Sequence, residues 1–208
     1  MFKRLAMLSF PVLMALVALS GSSTAEPARI VAFGDSLMAG YGLAPGESFP
    51  EKLEQSLRER GHDVVITNAG VSGDTSTGGL QRLDWSVPDD TDLVILELGA
   101  NDMLRGISPD ITRSNLDEMI ARLEEREIDV LLAGMLAAPN LGPDYAAAFN
   151  PIYPDLAHQY ELQLYPFFLD GVAAQPELLL GDGMHPNARG IDMMVERMLP
   201  IVEAELAR

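Results

Sequence analysis

The sequence predicts an α/β protein: a parallel sheet with helices on both faces. Short apolar runs alternate with helical patterns from Arg29 to the C-terminus, the order that βαβ units produce. Four of the five runs are compact rather than alternating, as strands covered on both faces should be. At 208 residues, with 48% of them apolar, the chain is long enough for one well-buried domain and short for two.

The first 25 residues read as a cleavable export signal. Lys3 and Arg4 precede an apolar stretch, Leu5 to Leu19, and Ser20 to Ala25 supplies the small residues of a cleavage site. An uncleaved anchor is the alternative, but a strand begins at Ile30 and leaves little linker. Residues 26–208 are then one exported domain, periplasmic or secreted, with no stable membrane insertion once the signal is removed.

The five strand candidates are Ile30–Phe33, Val64–Thr67, Leu93–Leu98, Val130–Ala133 and Leu162–Tyr165. Helices fit between them. Ser48-Phe49-Pro50-Glu51 is a capping box, with Phe49, Leu53 and Leu57 on one face. Ser108-Pro109-Asp110 opens a helix that carries Leu116, Met119, Ile120 and Leu123. Ala137 to Pro154, rich in proline and asparagine, should leave the fourth strand as a loop, become helical, and border a site. Asn187 caps a last helix whose apolar face runs from Ile191 to Val202.

The formal charge is −17, with lysine only at positions 3 and 52. Such a surface argues against nucleic acid and anionic membranes as partners. It would also repel an anionic substrate. Without cysteine, neither disulfides nor thiolate metal sites can form.

The chemistry gathers where strands end. Phe33-Gly34-Asp35-Ser36-Leu37 puts a serine at the carboxyl edge of the first strand, the edge where open α/β sheets bind ligands. A serine nucleophile needs a base and a group that orients the base. Of three histidines, His62 lies in a turn and His158 in a helix. His185 stands in Gly181-Asp182-Gly183-Met184-His185-Pro186-Asn187, and Asp182 can fold back to accept from its Nδ1–H. Alone, that loop could equally be a helix-capping turn.

Two more segments follow strands: Asn68 to Asp74 and Gly99 to Asp102. A glycine lets a backbone N–H approach a ligand, and Asn101 offers a side-chain donor. Each segment is also readable as a plain turn, with Asp74 capping a helix. A different reading gathers Asp35, Asp74, Asp102 and Asp182 around a divalent cation, and another makes the chain a non-catalytic flavodoxin-like binding protein.

Four blocks occur in one order: Gly34-Asp35-Ser36-Leu37, Gly70 to Asp74, Gly99-Ala100-Asn101-Asp102, and Asp182 to Pro186. In this the chain resembles the SGNH (GDSL) hydrolases. Ser72 to Ser76, Leu96 to Asp102, Leu104-Arg105-Gly106 and Pro166-Phe167-Phe168 are similar to the periplasmic thioesterase/lysophospholipase/arylesterase branch. The resemblance implies a flavodoxin-like three-layer α/β/α sandwich with a central, mostly parallel five-stranded sheet. It implies a serine esterase without metal or cofactor, acting on an ester, thioester or lipid and expected to be a monomer. An O-acetyl esterase of carbohydrates or small molecules is the alternative. By position it implies Ser36, Asp182 and His185 as catalytic residues and Ser36, Gly73 and Asn101 as oxyanion donors. The branch often has Gly-Gly before its asparagine; Ala100 stands here in place of the second glycine, a change that bears on local loop geometry and leaves Asn101 in place. Met103, Leu104, Arg105, Gly106 and Ile107, apolar apart from Arg105, are expected to wall the acyl site.

Overall fold

The computed structural model describes residues 26–208. The export signal expected at residues 1–25 lies outside them. Five strands form one sheet: β1 (Ala28–Gly34), β2 (Val64–Gly70), β3 (Leu93–Leu96), β4 (Asp129–Ala133) and β5 (Gln163–Tyr165). Their order is β2-β1-β3-β4-β5 and every pairing is parallel. This is the doubly wound order of flavodoxin-like sheets.

The long helices are α2 (Phe49–Glu59), α3 (Ser76–Ser86), α5 (Pro109–Glu125) and α8 (Ala188–Leu206). The shorter helices are α1 (Ser36–Ala39), α4 (Ala100–Leu104), α6 (Pro143–Phe149) and α7 (Ile152–Gln159). Helix α2 packs on α8, and α3 packs on α5, giving a layer on each face. Phe49, Leu53 and Leu57 of α2 are fully buried, as are Leu116, Met119 and Leu123 of α5. The capping box at Ser48 and Glu51 forms in full, and the Asn187 side chain accepts from the N–H groups of Arg189 and Gly190. Ser108 occupies its N-cap position without a side-chain capping bond; Pro109 supplies the local preorganisation there.

One strand departs from expectation. Val64–Thr67 was expected to be covered on both faces, but β2 is an edge strand with Val65 40% exposed. A compact apolar run does not reveal whether a second neighbour covers it.

The chain runs from β1 out to β2, then returns across β1 to β3. The gap between the carboxyl ends of β1 and β3 is therefore the topological switch point, where such sheets open a crevice. Gly34 closes β1 and Gly99 follows β3, so the Ser36 turn and the Asn101 turn face this crevice together.

Candidate active site

The Ser36 turn begins at the end of β1. Asp35 is the N-cap of α1, and its Oδ1 accepts from the Leu37 N–H at 3.0 Å. Ser36 is the first residue of that helix. Its Oγ donates to His185 Nε2 at 2.9 Å. On the far side of the ring, His185 Nδ1 donates to Asp182 Oδ2 at 2.7 Å. The second oxygen of Asp182 accepts from the N–H groups of Met184 and His185, at 2.9 and 3.0 Å. These donors hold the Asp182 carboxyl down to about 2: the two backbone bonds lead and the imidazole follows. An ionised Asp182 keeps the imidazole proton on Nδ1 and leaves Nε2 free to accept from serine. The Tyr41 ring lies 4.4 Å from the His185 ring, centre to centre.

Asn101 sits in α4. Gly99 caps this helix at φ +119°, and a Cβ there would strike the Tyr153 hydroxyl. The turn needs glycine at this position only. Ala100 begins the helix with ordinary backbone and is absent from the positive-φ residues, and Asn101 keeps its place at the cleft beside it. Asn101 Nδ2 donates to Asp35 Oδ2 at 2.8 Å. Gly73, on the loop after β2, is held by Arg105, whose guanidinium donates to the Gly73 carbonyl at 2.6 Å. Among the described residues, neither the Ser36 nor the Gly73 N–H donates to a protein acceptor.

Ser36, Gly73, Asn101 and His185 line one cleft of about 520 Å³. Its apolar walls include Leu37, Met103, Leu104, Met135, Leu169 and Leu179. Of the five residues expected to wall the acyl site, Met103 and Leu104 line this cleft. Arg105, Gly106 and Ile107 are not among its lining residues. Arg105 faces Gly73, and the Ile107 carbonyl accepts from the Tyr145 hydroxyl at 3.1 Å.

The other two histidines lie elsewhere. His62 meets Glu203 at 3.1 Å, and His158 is exposed on α7. The four aspartates that a cation would require each have separate partners. Asp74 pairs with Arg82 and Asp102 accepts from Ser76 and Thr112, while Asp35 and Asp182 are bonded as described. Asp74 does not cap α3; Thr75 does.

A model of the GDSL-like lipase/acylhydrolase family matches residues 32–192. The chain belongs to that family. It is 42% identical over 170 residues to an arylesterase of Vibrio mimicus, covering 81% of this chain and 84% of the relative. It is 36% identical over 191 residues to the esterase TesA of Pseudomonas aeruginosa, covering 91% and 94%. Among solved structures, the SGNH-hydrolase family esterase AlinE4 is 50% identical, covers 88% of this chain and 99% of its own, and superposes with a TM-score of 0.74. This GDSL-family chain is a serine esterase, and neither the binding-protein nor the cation reading is favoured.

Several site residues were not legible beforehand. Tyr41, Leu169, Ala173, Ala174 and Leu179 line the cleft but occupy loops without a motif. Arg82, only 6% exposed, donates to Asp74 at 2.6 Å and to the Ala69 and Gly34 carbonyls at 2.8 Å. Glu97 is fully buried behind Asp35. Its signal was available: a carboxylate inside the apolar run Leu93–Leu98.

Proposed function

We propose that this esterase hydrolyses carboxylic esters through an acyl-enzyme on Ser36. The observation that carries the reading is the relay from Ser36 Oγ through His185 to Asp182, at 2.9 and 2.7 Å, opening into an apolar cleft. His185 Nε2 takes the serine proton as Oγ attacks the carbonyl carbon. The oxyanion that forms is met by the N–H groups of Ser36 and Gly73 and by Asn101 Nδ2. Collapse breaks the bond to the leaving oxygen, which receives the proton from His185, and leaves the acyl group esterified to Ser36. Water then repeats the steps, losing a proton to His185, and frees the acid and the serine.

The cleft walls favour an apolar acyl or aryl group over a carbohydrate acetate. The arylesterase relative supports aryl esters as substrates, with a phenol as the leaving group; thioesters and lysophospholipids extend the same chemistry. The apolar segment behind Lys3 and Arg4 supports export, and sequencing the N-terminus of protein secreted by an expressing host would test it.

The deciding experiment is a rate profile on p-nitrophenyl esters from acetyl to palmitoyl, for wild type and Ser36→Ala together with mass spectrometry after an alkyl phosphonate ester. Activity beyond acetyl that disappears in the variant, with the phosphonate on Ser36, is expected. Activity confined to acetyl would favour the O-acetyl reading. Unchanged activity in Ser36→Ala would overturn the assignment of the nucleophile.

A further inference from the structure

The turn that carries Ser36 rests on two carboxyl groups that the hydrolytic cycle does not consume. Asp35 and Glu97 are both fully buried. Asp35 accepts from two donors, the Leu37 N–H and Asn101 Nδ2. Glu97 Oε2 accepts from the Asp35 N–H at 3.2 Å, and its Oε1 has no partner among the described residues. The space is closed: a Cβ on Gly34 would meet Glu97 Oε2 at 2.5 Å. That close approach is a reason for glycine at this position.

Two adjacent anions in a dry site need a cation or must give up a charge. The buried guanidinium of this region, Arg82, donates to Asp74 and to two carbonyls. The pair therefore holds one proton. Two donors stabilise the Asp35 carboxylate, whereas Glu97 has one long N–H contact and an orphaned oxygen, so the proton belongs to Glu97. Burial pushes the Asp35 carboxyl up to about 6. Burial and the neighbouring Asp35 charge push Glu97 well above the usual carboxylate range.

The consequence falls on Asn101. An amide presents a C=O on one edge and an NH₂ on the other, with nearly the same shape. A carboxylate only accepts, so an ionised Asp35 binds the NH₂ edge and excludes the flipped amide. The second N–H stays available to an oxyanion. We propose that Asp35 and Glu97 form a one-proton carboxyl pair that positions Asn101, with neutral Glu97 allowing Asp35 to remain ionised. Both are positioning residues, and the inference rests on Asn101 being an oxyanion donor.

A double-mutant cycle on p-nitrophenyl butyrate tests it. Asp35→Asn, whose amide can donate as well as accept, is expected to lower kcat about 10- to 100-fold with KM changed less than about threefold. In an Asn101→Ala background the same substitution should cost less than about threefold. Glu97→Leu should lower kcat, and Glu97→Gln, the shape of the neutral acid, should recover most of the loss. Multiplicative losses for Asp35→Asn and Asn101→Ala would refute the positioning role. A Glu97→Gln loss equal to that of Glu97→Leu would refute the neutral acid. Should Asp35→Asn not fold, the cycle of Glu97→Leu with Asn101→Ala decides: coupling supports the pair and additivity refutes it. Full kcat in Asn101→Ala alone would instead strike the oxyanion assignment and leave the serine chemistry standing.

Discussion

At the scale of single residues, Asn101 has more to do than its exposure suggests. Its amide is half-buried, held by one hydrogen bond, and open to the cleft. Removing one preorganised oxyanion donor costs about 10²–10³ in kcat. Asn101→Ala should show that loss while the variant stays folded at assay temperature, with a stability loss of about 1–3 kcal/mol because the buried Asp35 Oδ2 loses its donor. Glu97 supplies a second prediction, read in stability. A carboxyl whose pKa rises on folding, here from 4.5 upward, binds its proton more tightly in the folded chain. Its neighbour shifts the same way, from 3.8 to about 6. Both therefore make the protein lose stability as pH climbs through these ranges. Glu97→Gln removes one titration, so its Tm advantage over wild type should be larger at about pH 8 than at about pH 5. A constant gap across that span would mean that folding does not raise the Glu97 carboxyl above its ordinary range.

Among the elements, the ends of β1 and β2 are tied together by a side chain of α3. Arg82 bonds the last carbonyl of β1, a carbonyl near the end of β2, and Asp74 on the loop that carries Gly73, and its guanidinium lies 3.9 Å from the Phe33 ring centre. Arg82→Met removes the cationic partner of Asp74 and a donor from each of two carbonyls; the Gly34 carbonyl keeps only the Val71 N–H, at 3.0 Å. Breaking one partner of a buried pair costs about 3–5 kcal/mol, so denaturant unfolding of Arg82→Met should show a loss of that order. A loss below about 1 kcal/mol would place the pair with ordinary surface bridges. The element scale also shows where sequence reading ended. Three of the four blocks are readable because each directly follows an apolar strand, and a parallel sheet brings such ends to one edge; the fourth is readable from its Asp182-x-x-His185 spacing just before the Asn187 cap of α8. Arg82 is not readable, because its partners lie 8, 13 and 48 residues away and nothing local separates it from a surface arginine. The same holds for Ala173 and Ala174. They line the cleft from a loop after β5, and Ala174 has φ +62°. Small side chains there leave room, so Ala173→Phe should shift the p-nitrophenyl ester profile towards shorter acyl chains; an unchanged profile would seat the acyl group against the Met103 side of the cleft.

Over the whole molecule, the charge is −17 and the cleft walls are apolar. Charge at this scale acts on encounter more than on chemistry, because solvent-exposed charges are screened beyond a distance of about 8 Å at physiological ionic strength. A neutral aryl ester meets no net field, and its kcat/KM should change little with salt. An acyl-CoA carries several negative charges and meets a repulsive one. Adding salt shortens the reach of that repulsion, so kcat/KM for an acyl-CoA of the same acyl length should rise with ionic strength. Measuring both substrates from about 0.01 to about 0.5 M NaCl separates encounter from catalysis, since the acyl-enzyme is shared. A rise for acyl-CoA with a flat line for the aryl ester is expected. A fall for acyl-CoA would mean that a local cation overrides the global field. Arg105 is the guanidinium next to the lining residue Leu104, and it already donates to Gly73. Arg105→Gln should then abolish the fall.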